Sequence, residues 1–72
     1  MVEQINYKER DRQAILNYLA GKGEVEVAKV LAESGANTLR VYVLIFELRD
    51  EGKLEITRSN EWGSPMAVKL KA

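Results

Sequence analysis

At 72 residues the chain is one small domain, and a domain near this size buries only about 60% of the surface its unfolded chain exposes. No cysteine is present, so no disulfide or thiolate metal site can staple it, and stability has to come from packing, alone or with oligomerisation. Eleven Lys and Arg balance eleven Asp and Glu, which excludes the basic excess of a strong nucleic-acid binder.

The opening stretch, MVEQINYKERDR, is polar and has no apolar region behind a basic start, so it does not read as a signal peptide. The first helix is expected to begin after Asn6, a good N-cap, with Glu9 three residues on as a loose capping box. Ala14, Ile15, Tyr18 and Leu19 form its inward stripe, and Lys8 to Gln13 are expected to face water. Gly21 and Gly23 stop it. Glu24-Val25-Glu26 reads as a short strand bridge. A second helix follows over Val27 to Glu33, with Val27, Val30 and Leu31 inward and Ala28 small enough for a neighbouring helix to approach. Ser34-Gly35 ends it, and Asn37 caps the third helix.

The third helix runs to about Glu51 and stops at Gly52. At about 100° per residue, Val41, Leu44, Ile45 and Leu48 fall on one face. Leu39, Val43 and Phe46, flanked by Tyr42, fall on the other. One apolar stripe holds a helix on a core, so the second is either buried as well or presented to a partner. Beyond Gly52, Leu54 and Ile56 alternate with Lys53, Glu55 and Thr57 as a half-buried strand. Met66, Val68 and Leu70 alternate with Ala67, Lys69 and Lys71 as its antiparallel partner. Between them RSNEWGSP, Arg58 to Pro65, reads as a projecting, turn-rich loop. The longest apolar run, Val41 to Phe46, is too short to span a bilayer. A cytoplasmic protein without a membrane segment is expected.

The order of elements and its punctuation resemble the winged helix-turn-helix family. The residues that carry the resemblance are AILNYL (Ala14–Leu19), GEVEVAKVLAESG (Gly23–Gly35) and LRDEGKLEI (Leu48–Ile56). Ala28 and Leu31 match the A-x-x-L of the family's second helix. Leu48 and Gly52 match the L-x-x-x-G that leads from its third helix into the wing. The resemblance implies an α+β fold of three helices with a two- to three-stranded antiparallel sheet, and DNA binding in transcriptional or mobile-element regulation. The third helix would lie in the major groove, and the hairpin would lie on the backbone. It points to Asn37, Thr38 and Arg40 at the groove and to Arg58 and Lys69, beside Lys71, on phosphates. Each has an ordinary alternative: a cap at Asn37 and Thr38, a solvated arginine at Arg40, and solubilising charges on the strands.

The outward face of the third helix departs from a reading face, since it offers Leu39, Tyr42, Val43 and Phe46 in place of donors. That favours a rival, in which the stripe and Trp62 form a homodimer or protein-partner interface and no DNA is bound. The bland alternative is that the stripe packs under the first helix or the loop. Trp62 either anchors such a contact or folds back to close the core. A structural subunit of a larger machine is a third possibility. Catalysis finds no support: histidine and cysteine are absent, and Ser34, Ser59 and Ser64 lack an obvious base. No metal-ligand spacing, phosphate loop, cofactor or small-molecule substrate is indicated.

Overall fold

Three helices and a three-stranded antiparallel sheet make up residues 6–71, the part of the chain that the structure, a computed structural model, describes. The reading of the opening stretch as free of a leader falls in part on residues 1–5, which lie outside the described residues. The elements are α1 (Tyr7–Leu19), β1 (Val25–Glu26), α2 (Val27–Glu33), α3 (Thr38–Asp50), β2 (Leu54–Ser59) and β3 (Pro65–Leu70). Their order is the expected one, and the class is α+β with a winged-helix-like topology. Among the described residues no helix is long and apolar enough to cross a membrane.

Local signals place the helix ends. Asn6 Oδ1 accepts from the Glu9 N–H at 3.1 Å, which satisfies one orphan donor of α1. The end of α3 is a Schellman turn: the Lys53 N–H donates to the Leu48 carbonyl at 2.9 Å, and the Gly52 N–H to that of Arg49 at 2.9 Å. The turn needs a left-handed residue, and Gly52 supplies it at φ 76°. The chain leaves this turn straight into β2, so the helix end also aims the hairpin.

β3 is central, with β1 and β2 antiparallel on either side. Val25, Val68 and Ile56 lie in register across the three strands, and Val68 is fully buried. The core gathers Ile15 and Leu19 from α1, Val27 and Val30 from α2, the Val41, Leu44, Ile45 and Leu48 face of α3, and Leu54. All four α3 residues expected inward are buried.

Four details depart from the sequence reading. Lys8 to Gln13 do not all face water, because Asp11 and Arg12 are 7% and 9% exposed. They are drawn in by partners on α3. Ala28 is exposed and no helix packs over it. The alternation of β3 is broken at its start: Met66 is exposed and Ala67 is buried. The break, between Ala67 and Val68, lies beside two irregularities of the β2–β3 pairing: Thr57 is an extra residue in β2 between Ile56 and Arg58, and Met66 an extra one in β3 between Ala67 and Pro65. Finally, the strands extend into the supposed loop, since Arg58, Ser59 and Pro65 are paired. The connection is only residues 60–64.

Candidate interaction surface

The outward face of α3 is uncovered among the described residues. Leu39 is 88% exposed and Val43 57%, with Tyr42 at 41% on the shoulder towards α2. Phe46 is half-buried, and the Arg49 guanidinium lies over its ring at 5.0 Å. The structure thus brings Leu39, Val43 and Phe46 into one line, as the helical spacing requires. It does not fold the stripe under α1 or the hairpin. A shallow groove runs along the α1 side of this line, walled by Lys8, Arg40 and Glu47 with Leu39 and Val43. On the other side Tyr42 borders a groove with Ala28, Leu31, Pro65 and Met66.

What closes the α1 flank of α3 is charge. Arg40 Nη1 donates to Asp11 Oδ2 at 3.0 Å. Arg12 donates to both carboxylate oxygens of Glu51, through Nη1 at 2.8 Å to Oε2 and through Nη2 to Oε1. Glu47 lies 3.0 Å from Lys8 and 3.8 Å from Arg12. The hydrogen bond from Arg12 holds the Glu51 carboxyl below the usual glutamate range, against the opposing effect of partial burial. The same bond holds the proton on Arg12 more tightly. The sequence reading missed this seam. Its signal was present: Arg40, Glu47 and Glu51 are seven and four apart, and Asp11 and Arg12 lie three and four residues after Lys8. Both are one-face helical spacings.

The residues singled out for DNA are mostly engaged within the chain. The Asn37 side chain accepts from the Leu39 N–H at 2.9 Å, so it works as the α3 cap. Thr38 is exposed in the first turn. Arg40 faces Asp11. Arg58 lies 3.6 Å from Glu26, which joins the two strands that flank buried Ala67. Lys69 meets its register partner Glu55 at 3.3 Å. The Arg58 and Lys69 pairs are half-exposed, so each contributes little to stability, but all three pairs lower the positive potential that a phosphate would meet.

Trp62 does not fold back. It is 82% exposed in the turn at the tip of the β2–β3 hairpin. The loop that carries it is ordered by Asn60. Its Oδ1 accepts from the Trp62 and Ser64 N–H groups, each at 2.9 Å, and its own N–H donates to the Ser64 carbonyl at 2.9 Å. The indole is therefore presented on a well-tied turn.

Elsewhere, the Tyr18 hydroxyl donates to Glu33 Oε1 at 2.9 Å, with the Lys22 ammonium 4.4 Å from the ring. Partial burial pushes the phenol up. No group of three potential metal ligands gathers among the described residues. Compared with protein-family models, curated proteins and solved structures, the chain matches none of them.

Proposed function

We propose that this chain is a small winged-helix-like contact module that recognises protein surface through the outward face of α3. One observation carries the reading: Leu39, in the first turn, and Val43, one turn on, stand 88% and 57% exposed on that face. Contiguous apolar area of this kind marks a contact site. Apolar side chains offer nothing to phosphates or to polar base edges, whereas removing them from water yields about 25 cal/mol per Å². The charges support the same reading. Arg40, Arg58 and Lys69 each face a carboxylate of the chain itself, and the net charge is zero. A phosphate would have to displace an internal partner at every one of these contacts.

A second reading, DNA binding with a regulatory role, is favoured by the order of elements. A helix pair is followed directly by a hairpin, and Thr38 and Arg40 lie in the first turn of α3, the end a reading helix points at the bases. Anisotropy of a labelled random duplex, titrated with protein from about 50 to 200 mM salt, separates the two. The protein-contact reading expects no salt-dependent binding at any point. Binding that weakens with salt and vanishes in Arg40→Ala would replace it with the DNA reading.

A further inference from the structure

We infer that the partner of the α3 face is a second copy of this chain, seated with its own α3 antiparallel across a two-fold axis beside Val43. The inference rests on the protein-contact reading and names its partner. The stripe is complementary to itself. A two-fold at Val43 reverses the helix direction, so that positions equally far before and after Val43 oppose each other. Leu39 then comes within one position of Phe46 of the second copy, and Val43 meets Val43. Each apolar residue of the line thus has an apolar residue of the other copy at most one position away, with Glu47 and Arg40 as the direct opposites of Leu39 and Phe46.

The charges match under the same operation. A two-fold of this kind sets the α1 flank of one α3 against the α1 flank of the other. That flank carries the Arg40–Asp11 pair towards the N-terminal end and the Glu47–Lys8 pair towards the C-terminal end, with the Arg40 and Glu47 side chains 44% and 32% exposed. Reversal brings the pair of Arg40 in each copy beside the pair of Glu47 in the other, again within one position, so the contact adds opposite charge to existing pairs and displaces none. Antiparallel helices also oppose their dipoles favourably. A parallel pairing about a two-fold would instead set the α1 flank of one α3 against the α2 flank of the other and leave Arg40 and Glu47 of the two copies on opposite sides. Zero net charge leaves no overall repulsion between copies.

The area limits the strength. An interface typically takes about a tenth of a small protein's surface, which for 5029 Å² is about 500 Å². That is below the roughly 800 Å² per partner of a standard interface, so the dimer is expected to be a weak, reversible one in the micromolar range.

The chain has no cysteine, so Val43→Cys places a single thiol on the axis. Facing helices 8–10 Å apart bring such residues within disulfide reach. Mild oxidation is expected to trap Val43→Cys as a covalent dimer and to leave Lys29→Cys, an exposed position off the patch, monomeric. Sedimentation of the wild type from about 1 to 500 μM, which brackets the Kd, is expected to pass from monomer to dimer. Val43→Glu is expected to remain monomeric throughout with an unchanged far-UV spectrum. A wild type that stays monomeric, a dimer that survives Val43→Glu, or equal trapping at positions 43 and 29 overturns the second-copy assignment. The duplex titration tests the underlying reading separately. A monomer that binds no DNA leaves the protein-contact reading in place without this partner, whereas salt-dependent DNA binding through Arg40 removes both.

Discussion

Helix α3 carries two apolar faces of similar chemistry and opposite fate. Val41, Leu44, Ile45 and Leu48 are at most 1% exposed, while Leu39 and Val43, one or two residues away in the chain, are more than half exposed. The sheet, α2 and the Ile15 and Leu19 side of α1 share a core with the first face. On the flank next to the outward stripe α1 meets α3 along a seam of charge, with Asp11, Arg12 and Lys8 against Arg40, Glu47 and Glu51. An ion-paired seam fixes α1 at the flank and gives it no apolar surface to roll over the outward stripe. The fate of an apolar stripe in a domain this small is therefore set by how many elements remain to cover it, and not by its own hydrophobicity.

The sharpest way to break this comparison is to truncate one residue on each side. Ile45→Ala is expected to cost about 2–5 kcal/mol, because it opens a cavity in a packed core, and a domain of this size has little to spare. Chemical denaturation would measure it. Loss of less than about 1 kcal/mol would mean that the inner face is loosely packed and that the two faces differ less than their exposures suggest.

Gly52→Ala comes next. No atom lies within 4 Å of the added methyl group, so any penalty comes from φ 76° alone, and left-handed backbone costs an L-residue about 1–2 kcal/mol. The prediction sharpens the comparison because the Gly52 turn aims the hairpin at the inner face. A neutral result in a thermal melt would show that the turn is not what sets that direction.

The charged flank is expected to give a smaller effect. Arg12→Ala should lower Tm by about 4–8 °C. It should also remove part of the acid sensitivity. Glu51 is held below its ordinary value of 4.5 by the Arg12 hydrogen bond, so its contribution is present above about pH 4.5 and is lost as pH falls through the lower folded value. Tm of the wild type is expected to decline below pH 4.5, and Glu51→Gln to decline less steeply. Parallel declines in the two proteins would detach the seam from the acid response.

The smallest effect belongs to the outward face. Val43→Ser is expected to change stability at low protein concentration by no more than about 0.5 kcal/mol. A loss of 2 kcal/mol or more would mean that this face is core in solution, and the comparison would collapse.

Much of the architecture was legible locally. Asn6, Asn37 and Gly52 mark helix ends through hydrogen bonds that span only a few residues, and the 100° period of Val41, Leu44, Ile45 and Leu48 identifies the inner face. The phase of β3 was not legible beyond Val68. Ala67 and Val68 are both buried beside an irregular stretch of pairing at Thr57 and Met66, and that irregularity arises only when the two strands come into register. The charged seam was half legible. The spacings of Arg40, Glu47 and Glu51 and of Lys8, Asp11 and Arg12 were present, but nothing local says that these two faces meet. The same gap explains why Arg40, Arg58 and Lys69 read as available cations until their carboxylate partners, all from other elements, came into view.

The chain order, the caps and the inner stripe are properties of short segments, because backbone hydrogen bonding and side-chain period act over a few residues. Which cations are neutralised, that Trp62 stands out on a tied turn, and that Leu39 and Val43 remain in water are decided only when the elements pack. Those outcomes depend on which surfaces run out of neighbours.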